Sequence, residues 1–379
     1  MFERLHFAQD LASGQWTMTE LCTRYGISRN TGCKWRERFL AFGVRGLQEH
    51  SRAPLASPNE TPQATIDLIL AEHTRYGWGA RKILKRLRTL DPARVWPARS
   101  TIADILARHD RVRRRRSRSQ HPGAAPLQTT APNQVWTIDF KGQFRTRDGV
   151  YCHPLTIVDH FSRYVLCCQG FPDVKAEGVF RELRRLFRYH GLPDVIRSDN
   201  GARFASNGIH GLNRLNAWWF QLDIVHQRIT PASPQENGVH ERMHRVLKAK
   251  ATKPAAANAK LQQRVFNTFV HTYNEVRPHE ALNDETPASR WRPSTRPLPS
   301  RITPPTYPGH FEVRRIRTAG TFRLHNGQQF LTQALNGEHI GLEEVRDGLW
   351  NVLYYDTLLG RFDEPSRTIT GALSLKKDC

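Results

Sequence analysis

The sequence predicts a multidomain chain: an all-α N-terminal third, an α/β core and a small β-barrel at the C-terminus. Three observations predict it. Up to about residue 110, apolar residues recur at helical spacing and are interrupted by Gly-bearing turns. From Gln134 the pattern alternates with period two, then mixes with amphipathic segments. After a stretch with six prolines at 291–309, short strand-like runs are separated by turn residues. A length of 379 residues accommodates several such domains.

The chain carries a net charge of +22 and a pI near 10.4. That balance points to a polyanionic partner, either nucleic acid or an anionic membrane surface. No apolar run approaches the roughly 18–20 residues of a membrane-spanning helix, and MFERLHFAQD has no signal-peptide stretch. The expectation is a cytoplasmic protein with nucleic acid as its partner. The six cysteines form no C-x-x-C pair, so neither a zinc knuckle nor a disulfide framework is expected.

Residues 1–50 read as a helix-turn-helix domain. Helices are expected over Leu5–Leu11, Met18–Tyr25 and Arg29–Phe42, with Gly26-Ile27-Ser28 as the turn and Ser28 as a cap. Leu21, Ile27 and Trp35 would form its core, while Arg29, Asn30 and Lys34 would face DNA. Cys22 stands where a small Ala is usual, and Gly32 weakens the recognition helix. An ordinary three-helix bundle with a solvated basic face would show the same pattern; the charge favours DNA binding. Residues 59–110 read as a second helix-turn-helix-like domain, with helices from Thr61-Pro62-Gln63, over Ala80–Leu90 and over Ser100–His109. In 111–118 six of eight positions are arginine, so 111–132 reads as an Arg-rich linker tracking a phosphate backbone through Arg113, Arg114, Arg115 and Arg116. A merely solvated tether is the plainer alternative.

Residues 133–290 carry the α/β pattern. In VWTIDFKG, Trp136, Ile138 and Phe140 alternate with Thr137 and Asp139, so Asp139 projects from the face opposite the large apolar side chains. Further strands are expected over Tyr151–Phe161, Arg163–Gly170, Asp194–Ser198 and Asp223–Arg228, with helices over Ala176–His190 and near Leu212–Gln221. Asp is disfavoured inside a strand, so something must stabilise Asp139. Asp199 follows the carboxyl end of a strand, where ligand sites of open α/β sheets gather. Glu236 lies in Ser233-Pro234-Gln235-Glu236, a helix start in which a capping box alone would explain the glutamate. Its stripe continues through Val239, Met243 and Val246 toward the sheet. Three converging carboxylates repel one another unless a cation lies between them, and all-oxygen donors suit Mg²⁺ or Mn²⁺.

Asp139 in WTIDFKG, Asp199 in RSDNG and Glu236 in SPQENG resemble the D, D and E of the integrase/transposase superfamily with a ribonuclease-H-like fold. Thirty-six residues separate Asp199 from Glu236, close to the family's spacing. HQRITPASPQENGVHERMHRVLKAK and YNEVRPHEAL resemble bacterial insertion-sequence transposases with a retroviral-type integrase core, a resemblance covering nearly the whole chain. It implies a ribonuclease-H-like core and catalysis by Asp139, Asp199 and Glu236 as ligands of two Mg²⁺ ions, with Mn²⁺ as a substitute. It implies a DNA transposase that binds transposon ends, cleaves DNA and transfers strands into a target. Its partners would be terminal inverted repeats and target DNA, and it would be at least a homodimer when two ends are brought together. The alternatives are a DNA-binding regulator with an inactive core and a metal-dependent nuclease without strand transfer. Met243 stands where relatives carry Lys or Arg, leaving Arg242, His244, Arg245 and Lys248 as neighbours for that DNA contact; Arg242, Arg245 and Lys248 are taken as contacts. Zinc ligands of the retroviral His-His-Cys-Cys module are absent from the N-terminal pattern. Asp159 reads as structural, His226 and His240 as DNA or supporting groups or as satisfied histidines, and Arg277-Pro278-His279 as packing and capping.

The segment 291–309 reads as a semi-rigid Pro-rich linker, and 310–370 as the β domain, with Asn326-Gly327 as a hairpin turn.

Overall fold

The computed structural model describes residues 2–49, 60–112, 128–199, 204, 209–229 and 238–372. The chain divides into two compact units, Met1–Thr65 and Ile66–Cys379. In the first, α1 (Phe2–Ala12), α2 (Met18–Arg24) and α3 (Arg29–Phe42) close around Phe7, Leu21 and Cys22. Thr17 and Glu20 form a reciprocal capping box at α2, and Ser28 accepts from Thr31 N–H at the start of α3. Gly26 turns the chain at φ +61°, a conformation costly for any residue with a Cβ. Ile27 and Trp35 are half-buried, as flanks of the core. Phe7 lies at its centre, making edge contacts with Tyr25 and Trp35 at 5.5 and 5.6 Å.

The two departures seen in the sequence explain each other. A Cβ on residue 32 would lie 2.6 Å from Cys22 Sγ and 3.0 Å from Met18 Sδ. The helix gives up propensity at Gly32 so that the larger Cys22 can fill the space between α2 and α3.

The second unit begins with three helices, α4 (Gln63–Tyr76), α5 (Ala80–Leu90) and α6 (Arg99–Arg108), packed on Ile69, Ile83, Leu87, Ile102, Ile105 and Leu106. Arg81 on α5 bonds Asp284 at 2.8 Å and Glu280, which ties this module to the end of the core.

The core sheet runs β4-β3-β1-β5-β6, from β1 (Val135–Phe140), β3 (Tyr151–Asp159), β4 (Val165–Phe171), β5 (Val195–Ser198) and β6 (Val225–Arg228), with the short β2 (Phe144–Arg145) also pairing with β3. β4, β3 and β1 are antiparallel neighbours, and β1, β5 and β6 are parallel. Trp136, Ile138 and Phe140 bury on one face against α7 (Ala176–His190) and α8 (Arg214–Gln221). On the other face, α9 (Gly238–Ala251) and α10 (Ala259–His271) bury Met243, Leu247, Phe266 and Phe269.

The segment 291–309 is docked along the core. Trp291 stacks on Tyr164 at 5.1 Å. Arg296 donates to the carbonyls of Pro193, Leu222 and Asp223 at 2.7–3.0 Å. Tyr307 lies over Gly341, where a Cβ would come within 2.5 Å of its ring.

The C-terminal domain corrects one expectation. β7 (Glu312–Arg315), β10 (His339–Arg346), β11 (Leu349–Tyr354), β12 (Thr357–Asp363) and β13 (Thr368–Gly371) form an open five-stranded sheet, and β8 (Thr321–Leu324) with β9 (Gly327–Phe330) a separate ribbon. A barrel needs its terminal strands to pair, and β7 and β13 are the two edges of the open sheet. β10, charged along half its length, lies between β7 and β11, where pairing on both sides overrides its composition. The ribbon's pairing places Leu324 opposite Gly327, so His325-Asn326 is the connecting turn and Gly327 opens β9.

Gly32→Ala is expected to destabilise the N-terminal unit by about 1–3 kcal/mol, because overpacking outweighs the ~1 kcal/mol gain in helix propensity. Cys22→Ala in the same chain should restore most of that loss; thermal melts of the two single variants and the double variant check the coupling.

Acid should also weaken the second unit. Burial pushes His160 down to about 4 and His279 down to about 3, with Arg163 and Arg277 respectively adding repulsion. Both folded values lie below the ordinary 6.5, so the unfolded chain takes up these protons first as pH falls. The stability they contribute is complete above about 6.5 and is lost as pH drops toward 4 and 3. The melting temperature should therefore fall between pH 7 and 5, and less so in a His160→Gln/His279→Gln variant.

Candidate active site

Register brings two of the expected carboxylates side by side. Ile138 pairs with Ser198 across the parallel β1–β5 ladder, so Asp139 and Asp199 are the next residues at the carboxyl ends of adjacent strands. Asp139 shows 23% of its side chain to solvent, and Asp199 is exposed. Strand alternation turns Asp139 away from Trp136 and Ile138 and toward α9. Glu236 and its cap Ser233 lie outside the described residues, as do Arg113, Arg114, Arg115 and Arg116.

Behind Asp139 lies a buried polar network that the sequence reading did not assemble. The Thr156 hydroxyl donates to the Asp139 carbonyl at 3.0 Å. Having spent its single proton there, it accepts from His240 Nε2–H at 2.6 Å and His244 Nε2–H at 2.7 Å. His240 Nδ1 is 2.8 Å from the Thr137 hydroxyl, which also lies 3.2 Å from the Val158 carbonyl. His240 and His244 are 0% and 4% exposed. These tautomers are assigned from the bonding pattern.

Burial pushes the two imidazoles down to about 3 and about 2, with Lys141 adding repulsion at both and His240 at His244. Both are neutral, so the 3.6 Å contact between His244 Nδ1 and Asp139 Oδ2 is not an ion pair. It is also too long for a hydrogen bond.

Asp139, His240 and His244 bring possible ligand atoms within 4.8 Å of one another. Both His240 nitrogens are already engaged, however, so His240 buttresses the site. Beside it, the Asp139 and Asp199 carboxylates at adjacent strand ends and His244 Nδ1 are the groups whose chemistry suits a cation. Carboxylates at adjacent strand ends fit a hard divalent cation.

The signal for the network was present in the sequence. His240, Met243, His244, Leu247 and Ala251 recur at helical spacing, and all five are buried. The stripe expected through Val239, Met243 and Val246 is offset from it; Val239 and Val246 are only half-buried at its flank. Met243 is apolar because it packs in the core at 0% exposure, and no DNA contact falls to it. Arg242, Arg245 and Lys248 point to solvent on the same helix, as do Arg29, Asn30 and Lys34 on α3.

Asp159, expected to be structural, is 0% exposed and accepts from Asn133 N–H, Ser162 N–H and the Ser162 hydroxyl. His226 lies 2.9 Å from the Ser198 hydroxyl, beside the β5 carboxyl end. Of the six cysteines, the five in described segments are free thiols. No described helix is long and apolar enough to cross a membrane.

The Integrase core domain family matches residues 129–234, and a second Integrase core domain family matches 222–287. Residues 2–48 match the Homeodomain-like domain family. The uncharacterized 39.2 kDa protein of insertion element IS476 from Xanthomonas euvesicatoria is 25% identical over 264 residues, which is 69% of this chain and 72% of that protein.

The chain carries an integrase-type core and a homeodomain-like N-terminus by these matches, and it is similar to proteins of bacterial insertion elements.

The uncharacterized 31.7 kDa protein of insertion element IS407 from Burkholderia multivorans is 28% identical over 163 residues. That match spans 40% of this chain and about half, 53%, of the relative. Among solved structures, the simian T-cell lymphotropic virus intasome in complex with a PP2A regulatory subunit aligns over 76% of this chain and 97% of that chain, at 19% identity and a TM-score of 0.39. The HTLV-2 integrase catalytic core domain in complex with magnesium aligns over 43% of this chain and 99% of that chain, at 17% identity and a TM-score of 0.34.

Thr156→Val should leave two buried imidazole N–H groups without their acceptor, at a cost of about 1–3 kcal/mol for each stranded group. Thr156→Ser keeps the hydroxyl and should lose far less. Urea denaturation of the two variants separates the polar network from simple packing at this position.

Proposed function

We propose that this chain is a DNA transposase that binds the ends of its element, cleaves them and joins them to target DNA. The observation that carries the reading is the β1–β5 register, which sets Asp139 and Asp199 next to each other at the carboxyl ends of two parallel strands. The Integrase core domain matches at 129–234 and 222–287 and the homeodomain-like match at 2–48 support it.

Asp139, Asp199 and Glu236 would hold the divalent cations, Mg²⁺ or Mn²⁺. When bound, these supply Lewis-acid stabilisation of the phosphoryl oxygens and lower the pKa of the attacking hydroxyl. The chain's own residues supply position. The Thr156 bond to the Asp139 carbonyl and the His240–His244 pair hold the β1 end against α9, so the Asp139 carboxylate is aimed by buried, hydrogen-bonded groups. Arg242, Arg245 and Lys248 on the exposed face of α9 would bind the phosphates flanking the reacting one. Arg29, Asn30 and Lys34 would read the end sequence from α3, and Arg113–Arg116 would follow the backbone between these domains. Strand transfer exchanges one phosphodiester for another, so no nucleotide cofactor is required. Joining two ends in one event calls for at least two copies of the chain.

The protein is tested with a labelled transposon-end duplex, a target plasmid and Mg²⁺. Joined products are expected. Cut products alone would instead indicate a nuclease, and binding alone a regulator with an inactive core. Asp139→Asn, Asp199→Asn and Glu236→Gln should each lower cleavage and joining by at least a hundredfold while end binding stays within about threefold, given the size of metal-ion catalysis. Wild-type joining by Glu236→Gln would remove that residue from the assignment.

A further inference from the structure

A second cationic site lies on the other side of the sheet. α7 presents Arg181, Arg184, Arg185 and Arg188 at i, i+3, i+4 and i+7, so the four guanidinium groups form one stripe opposite the buried Val179, Leu183, Leu186 and Phe187. Arg214, the first residue of α8, adds a fifth. These side chains line a cleft of about 1070 Å³ whose far wall is Ala334, Asn336 and Glu338 of the C-terminal domain. Glu182 satisfies Arg185 with bonds of 2.6 and 3.1 Å. Among the described residues, Arg181, Arg184, Arg188 and Arg214 have no carboxylate within ion-pair distance.

A stripe of like charges at i, i+4 is unfavourable for a helix by itself, so this arrangement calls for an anion. The stretches outside the described residues carry few acids, and a second copy would bring the same net charge of +22. The occupant is therefore an external polyanion.

The lining identifies its type. All five cations are arginine, whose planar fork matches phosphate oxygens in pairs. Gln169, Gln221 and Asn336 add neutral hydrogen-bonding groups. Three half-buried rings, Phe171, Phe180 and Trp218, line the cleft; Trp218 is held by Phe180 and Phe187 with ring centroids 5.4 and 5.3 Å away, so it is fixed in the protein instead of being free to turn onto a base. Guanidinium groups without a free stacking platform suit a duplex backbone better than an unpaired strand.

We infer that the cleft between α7, α8 and the C-terminal sheet is a sequence-independent binding site for the backbone of duplex DNA, separate from the Asp139–Asp199 site. The separation follows from the sheet: α7 packs on the face carrying Trp136 and Ile138, whereas Asp139 faces α9. This inference rests on the transposase reading, and it adds a second DNA segment held by the same unit of the chain.

The test is fluorescence anisotropy of the full chain with a random-sequence 30-bp duplex across a salt series. Arg184→Gln/Arg188→Gln/Arg214→Gln is compared with wild type, after thermal melts establish that both are folded. Each phosphate contact contributes about 0.9 to the slope of log affinity against log salt, so the triple variant should lose about 2–3 from that slope. Its affinity at physiological salt should fall at least tenfold. Replacing the same three positions with Lys should retain most of the slope and yet bind less tightly, because the paired geometry is gone. A triple Gln variant with the wild-type slope would overturn the inference and leave the transposase reading standing. A loss of slope in the triple Gln variant seen only with single-stranded DNA would also overturn it. Failure of the wild-type chain to bind any duplex would sink both.

Discussion

The core depends on a single strand whose two faces serve different purposes. β1 pairs antiparallel with β3 and parallel with β5, and its side chains alternate strictly between environments. Trp136, Ile138 and Phe140 lock the strand into the α7 side of the core. Thr137 and Asp139 face α9 and enter the polar system there. A slip of one residue in register would bury the carboxylate among aromatic rings and expose a tryptophan. The apolar face therefore fixes where the carboxylate points, and the β5 pairing fixes which residue stands beside it.

Much of this was legible because amphipathic periodicity is a local property. α3, α5 and α7 were predicted with the bounds observed, and the face of Asp139 followed from the alternation of its neighbours. The two carboxylates at the strand ends were legible for the same reason. The histidine pair was harder to read. A buried His and a solvent-facing His look alike in sequence, and His240 and His244 become informative only once Thr137 and Thr156 are brought opposite them by strand pairing. Cys22 and Gly32 each looked like a flaw until the helices were packed together. The charges of β10 argue against a strand, and its membership comes from partners on both sides.

Burial also clarifies the basic residue missing at position 243. On α9 the inward positions are occupied by His240, Met243, His244, Leu247 and Ala251, and the cations occupy the outward ones. A lysine at 243 would be driven into the apolar cluster beside Phe266, at a large desolvation penalty. The helix thus divides its labour by face, with neutral imidazoles supporting the strand and charged groups left to solvent.

The Pro-rich segment has a mechanical consequence. It is pinned to the core at Trp291 and Arg296 and to the C-terminal sheet at Tyr307. At about 3.1 Å per residue for an extended Pro-rich chain, the stretch from Arg296 to Tyr307 spans roughly 35 Å when taut. A strap fixed at both ends behaves as a stay and not as a hinge. The C-terminal sheet can swing away from α7, or be exchanged with that of another copy, only if the Tyr307 contact or the Arg296 contact is peeled off first.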